Sequence, residues 1–182
     1  PHKYAHELLI DELKISPDDY LATATFLQQL FNLPRPPSTI DCFDISHFQS
    51  SAIVGSCIRF TDGVPDKNNF RRFKIKTLTI QNDYAALHEV VKRRYKDPAQ
   101  KPDLVLIDGG KGQRNAVLGL LGETPCISLA KKEEIIFSDN YPEGFPIDVA
   151  TPAGKLLISL RNYAHHFAIN YHRTLRSKER YV

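Results

Sequence analysis

The segment DLVLIDGG, residues 103–110, is apolar at every position from Leu104 to Ile107 and then ends on one acid and two glycines. A strand without a polar side is buried on both faces, so the rest of the chain must cover it from above and below. That requirement points to a sheet lying between helices. The same segment raises a chemical question, because Asp108 either caps a turn or faces something charged. A second run, TIDCFDIS at 39–46, sharpens it. Asp44 falls inside an apolar stretch of strand formers, where an uncompensated charge is strongly unfavourable.

The remaining elements follow in order. Residues 1–33 read as helical, with a second helix opening at SPDDY: Ser16 is suited to cap, Pro17 to the first turn, and Asp18 and Asp19 to the positive end of the dipole. PRPPS (34–38) is expected to stop that helix. After the strand at 39–46, AIVGSCIRF (52–60) reads as a second strand and TDGVPDKNN (61–69) as a turn or loop centred on Asp62-Gly63. FRRFKIKTLTI (70–80) alternates, with Phe73 and Ile75 on one side and Lys74 and Lys76 on the other. DYAALHEVVKRRY (83–95) and KGQRNAVLGLL (111–121) have helical periodicity, PCISLA (125–130) reads as another buried strand, and 131–151 as a hairpin or insertion. One long helix or two fill Lys155 to Lys178.

Three hairpin-type strands followed by two crossovers predict an α/β protein: a mixed five-stranded sheet with helices on both faces, preceded by N-terminal helices. The division expected is a helical segment and Pro-rich connection over 1–37 and one domain over 38–182. In such a sheet the first strand can lie parallel to the first crossover strand, placing CFDIS beside LVLID.

Cys42, Cys57 and Cys126 lie in apolar segments without metal-ligand spacing, as small core residues of a reduced, cytosolic protein would. No stretch is apolar enough to span a membrane and no signal peptide is visible. The chain opens on Pro rather than Met, as a fragment or processed chain would. The net charge of +3 does not announce a nucleic-acid binder, but VKRRYK (91–96) and RTLRSKER (173–180) are concentrated basic runs that read either as solvated helix faces or as a phosphate-attracting surface.

If Asp44 and Asp108 sit on neighbouring strands, their charges repel unless a cation lies between them. Hard oxygen ligands suit Mg²⁺ or Mn²⁺, and metals held by few carboxylates keep positions open for phosphate oxygens and water. RNYAHHFAINYHR (161–173) offers His165, His166 and His172 as a third partner. His165 and His166 point about 100° apart on a helix, so only one of them can face the carboxylates.

CFDISH, DLVLIDGGKGQ and RNYAHHFAINYHR, together with LPRPPSTIDCFDIS, FRRFKI and NDYAALHEVVKRRY, resemble the C-terminal endonuclease domain of UvrC, the nuclease subunit of bacterial nucleotide excision repair. The resemblance runs from about the second helix to the C-terminus. It implies an RNase H-like fold, a divalent-metal-dependent endodeoxyribonuclease, and incision of the damaged strand of double-stranded DNA on the 5′ side of the lesion. It implies a bacterial cytoplasmic protein that works with UvrB in its full-length form. The site it implies is Asp44, Asp108 and His165, serving both as catalytic residues and as metal ligands. The acid of the family's DYAA motif matches Asp83, which reads equally as the N-cap of the following helix. Lys111, Arg71, Arg72, Arg161 and Arg173 are the candidate phosphate contacts. The stretch 131–151 departs from the family pattern. No N-terminal nuclease domain, UvrB-docking segment or tandem helix-hairpin-helix accompanies the match, so an isolated domain with weak DNA binding is expected. Two other readings share these residues: a non-catalytic RNase H-like nucleic-acid-binding module, and another RNase H-like nuclease acting on RNA–DNA hybrids or deaminated DNA.

Overall fold

A computed structural model of the chain describes residues 16–47, 53–75 and 82–180, with side chains through residue 170. The helix expected within 1–15 and the strand positions 76–80 lie outside the described residues.

Helix α1 (Pro17–Phe31) begins as its sequence dictates: the Ser16 hydroxyl accepts from the Asp19 amide at 3.2 Å and Pro17 takes the first turn. It ends before the prolines. Asn32 adopts the left-handed conformation (φ 53°) and its amide bonds to the Gln28 carbonyl, so PRPPS extends a stop already made two residues earlier.

Strands β1 (Thr39–His47) and β2 (Ile53–Thr61) pair antiparallel along their whole length. At the end of β2 the chain reverses through Asp62 and Gly63, both at positive φ, as the sequence signal requires. A side chain at position 63 would place its Cβ 2.6 Å from the Tyr20 ring, so glycine is demanded there twice over. The expected loop then contains a short strand, β3 (Val64–Pro65), that folds back on β2. Strand β4 (Arg71–Lys74) pairs with the other half of β2. After α2 (Asp83–Arg94), strand β5 (Leu104–Asp108) joins β1 in parallel; after α3 (Lys111–Leu121), strand β6 (Cys126–Ala130) joins β5 in parallel. The stretch 131–151 contains an antiparallel pair at the sheet edge, β7 (Ile135–Phe137) and β8 (Phe145–Pro146), and a single helix, α4 (Pro152–Arg180), completes the chain. The order is β3-β2-β1-β5-β6-β7-β8 with β4 beside β2, eight strands in all. The five expected strands form its centre, and three short ones widen it.

Side-chain alternation assigns each face. Ile40 and Cys42 of β1 and Leu104 and Leu106 of β5 pack with Tyr20, Ala24 and Leu27 of α1 and Leu156, Leu157, Leu160 and Ala164 of α4. Phe43 of β1 and Val105 and Ile107 of β5 pack on the other side with Leu87, Val90 and Val91 of α2 and Val117 and Leu121 of α3. Helices therefore cover both faces of the central strands, as their apolar character requires. The three cysteines are unpaired and buried in these cores. Among the described residues no helix is long and apolar enough to cross a membrane.

Candidate active site

Alternation also decides where the acids point. Asp44 continues the series Ile40, Cys42, and Asp108 continues Leu104, Leu106, so both side chains emerge on the α4 face. The parallel register between β1 and β5 runs through Cys42↔Leu106 and Phe43↔Ile107, and Asp44 and Asp108 are the next residues on each strand. Two distant acids thus become neighbours at one end of the central strands. Asp44 is 2% exposed.

Asp108 is not a cap. The helix that follows it is closed by Gly110, whose amide donates to Gln113 Oε1 at 3.0 Å. Both Asp108 carboxylate oxygens are buried and accept no hydrogen bond. Lys131, just past the end of β6, brings its ammonium to 3.6 Å from Asp108 Oδ2. Burial, and then the neighbouring charge of Asp44, push the Asp108 carboxyl up to about 7, while Lys131 opposes the shift.

Helix α4 delivers the imidazole. It lies on β1 and β2 through Leu157, Leu160 and Ala164, and the Ser56 hydroxyl of β2 donates to the Ala164 carbonyl at 3.0 Å. The next residue, His165, reaches Asp44, with Nδ1 3.3 Å from Oδ2. This hydrogen bond raises the His165 pKa above its ordinary value, against the lowering effect of burial. Of the three histidines expected near the acids, His165 is thus placed against Asp44. Asp108, Lys131, Arg161, Asn162 and His165 line one open cleft.

The donor set suits a hard divalent cation. Two acids lie side by side, and the buried oxygens of Asp108 are met by the Lys131 ammonium at 3.6 Å, an arrangement that favours a positive charge. The expected three-ligand cage is not preassembled, however. Among the described residues no group of three His, Cys, Asp or Glu side chains is arranged to hold a metal ion.

Asp83 is not brought to this group. It sits on α2, which covers the opposite face of the sheet, and is hydrogen-bonded to His47 at the end of β1. Nor is it the N-cap that its sequence position suggested; Asn82 caps α2, accepting from the amides of Tyr84 and Ala85, and Asp83 is the first helical residue. The candidate phosphate contacts are scattered. Arg161 faces the cleft but is bound to Glu134 through hydrogen bonds of 2.7 and 3.1 Å. Lys111 opens α3 and lies 3.4 Å from the exposed carboxylate of Glu143. Arg71 donates to the carbonyls of Asn68 and Phe70, and Arg72 stacks its guanidinium 3.7 Å from the Phe167 ring centre. Arg173 lies on α4 beyond the residues whose side chains are described.

Sequence reading missed Lys131 and Asn162. Lys131 had a usable signal: it follows PCISLA by one residue, as Asp108 ends LVLI, so parallel neighbours put them at the same sheet edge. The reading also passed over Asp41, which is fully buried on the α2 face and accepts from Arg59 (2.7 and 3.1 Å) and Tyr95 (2.6 Å). That acid is fully partnered and structural, unlike Asp108.

A family model described as the UvrC RNAse H endonuclease domain matches residues 28–169. Over 160 residues the chain is 44% identical to UvrABC system protein C of Methanosarcina mazei, covering 84% of this chain and 31% of that protein. It is 46% identical to UvrABC system protein C of Prosthecochloris aestuarii, covering 84% and 26%. With that of Methanococcus maripaludis it shares 40% identity, covering 95% of this chain and 34% of that protein. The chain thus spans a quarter to a third of these relatives' length. Among solved structures, Endonuclease V of Ciona intestinalis in complex with inosine-containing DNA is 15% identical with a TM-score of 0.40, over 71% of this chain and 56% of that one. Endonuclease V of Bacillus subtilis is 19% identical with a TM-score of 0.36, over 64% and 56%.

Proposed function

The chain belongs to the UvrC RNase H endonuclease domain family, and from that premise we propose that it makes the 5′ incision in the damaged strand during nucleotide excision repair, by divalent-metal-dependent hydrolysis of a DNA phosphodiester. The observation that carries this reading is the placement of Asp44 and Asp108 on adjacent parallel strands, with both oxygens of Asp108 buried and faced by the Lys131 ammonium, and His165 hydrogen-bonded to Asp44.

Asp44 and Asp108 would hold Mg²⁺ or Mn²⁺, with His165 as the third ligand or as the group that orients water at the cleft mouth. Such an ion, when bound, polarises the phosphodiester and stabilises the charge that develops on its oxygens. The chain's own residues do the rest. The buried sheet edge fixes the two carboxylates in a site of low dielectric, where their charge acts strongly. His165, half exposed and hydrogen-bonded to Asp44, can take a proton at Nε2 while Asp44 holds Nδ1 and the ring in place. Arg161, Lys111, Arg71, Arg72 and Arg173 would hold the phosphate backbone without reading base sequence. Asp83, hydrogen-bonded to His47, would act on the end of β1 rather than on the reacting atoms. Damage recognition, UvrB as a partner, and the bacterial cytoplasm as the place of work belong to the same proposal, since they are properties of the longer protein.

The test is substitution with fold retained. Asp44→Asn and Asp108→Asn should each reduce Mn²⁺-dependent nicking of damaged duplex by more than the ~10–100-fold typical of losing a partner of a metal ligand. Folded variants that nick at the unmodified rate would rule the reading out.

A further inference from the structure

The cations around the cleft differ in how far they are committed. Arg161 is fixed to Glu134 by two hydrogen bonds. Lys111 lies against Glu143 at the surface. Lys131 is different: its side chain is 60% exposed, yet its ammonium stands 3.6 Å from a carboxylate whose side chain is fully buried. That distance is beyond a hydrogen bond, so charge alone aims it there. Its place follows from topology, because β6 runs parallel to β5 and Asp108 is in register with Leu129, two residues before Lys131. A flexible stem with a compact charge can leave one anion for another at small cost.

Resting on the metal-site reading above, we propose that Lys131 is a catalytic residue that competes with the divalent cation for Asp108 and, when the cation takes that carboxylate, contacts a non-bridging oxygen of the scissile phosphate. Two consequences separate this from a role in folding. An ammonium beside the carboxylate weakens cation binding, so its removal should tighten metal affinity. An ammonium on the phosphate promotes cleavage, so the same removal should slow it. One substitution should move the two readouts in opposite directions.

The experiment uses Lys131→Gln and Lys131→Arg at pH 8.5, with circular dichroism to verify the fold. Calorimetric titration with Mn²⁺ in the absence of DNA should show Lys131→Gln binding about tenfold more tightly. Single-turnover nicking at saturating Mn²⁺ should fall about a hundredfold, and Lys131→Arg should recover most of it. Unchanged Mn²⁺ affinity overturns the competition, and unchanged nicking overturns the phosphate contact. Asp108→Asn is the control for the underlying site. If it binds Mn²⁺ as tightly as the unmodified protein, the carboxylate site itself is wrong; if it loses Mn²⁺ while Lys131→Gln changes nothing, only the assignment of Lys131 falls.

Discussion

Asp108 carries opposite obligations, one to the fold and one to the site. Its carboxyl is pushed up to about 7 by burial and by Asp44, so the folded chain holds a proton there that the unfolded chain releases near the ordinary 3.8. A raised acid stabilises the fold below its unfolded value and loses that contribution as pH rises through the folded one. His165, also raised, acts in the same direction. The EDTA-treated protein should therefore lose stability progressively between about pH 4 and pH 8, measured as Tm, and Mn²⁺ should restore it at pH 8. Asp108→Asn removes the buried charge, so it should raise the Tm of EDTA-treated protein at pH 8 while abolishing nicking. A lower Tm at pH 8 would show that attraction to Lys131 outweighs the cost of burying the Asp108 charge. Activity has the reverse dependence: metal binding needs Asp108 ionised and His165 neutral, so the rate at fixed Mn²⁺ should climb from pH 6 to pH 8.

At the level of elements, α4 is the part on which the geometry turns, since it carries His165 across the sheet to Asp44. Its seat on β2 includes the Ser56 hydroxyl bonded to the Ala164 carbonyl. Ser56→Ala should cost about 1 kcal/mol of stability and lower kcat more than KM, which urea denaturation and steady-state nicking would check. On the other face, a methyl group at Gly55 would meet Val90 Cγ2 at 2.3 Å. Gly55→Ala should cost roughly 1–3 kcal/mol by forcing α2 outward, with less effect on the cleft, because α2 lies opposite it. Most of these elements were legible because their local signals agree with their tertiary setting. Ser16 and Pro17 open α1, Asp62-Gly63 turns β2 into β3, and the uninterrupted apolar run at 104–107 announces a strand covered on both sides. What escaped was set by contacts between distant residues. The left-handed stop that Asn32 favours was overshadowed by the prolines at 34–37, and nothing local to Asp41 says that Arg59 and Tyr95 will meet it.

In the whole molecule, the site is a property of register. Asp44 and Asp108 were legible as a pair only on the assumption that β1 lies parallel to β5, and the pairing of Phe43 with Ile107 is what makes that so. The reach of His165 was legible from its motif. The contacts that now occupy it and Asp83 were not, because each depends on a partner chosen by packing, Asp44 in one case and His47 in the other. The basic residues are spread over β4, α3 and α4, so their contribution to DNA binding should be electrostatic. Binding should weaken steeply with salt, and losing one phosphate contact, as in Lys111→Ala, should reduce the slope of log K against log salt by about 0.9. All of this presupposes that Asp44 and Asp108 share one cation, and the most direct measurement is anomalous diffraction from a crystal soaked in Mn²⁺. A manganese peak bridging the two carboxylates within reach of His165 is the predicted result. A peak bound elsewhere, with Asp44 and Asp108 uncontacted at saturating Mn²⁺, would contradict it.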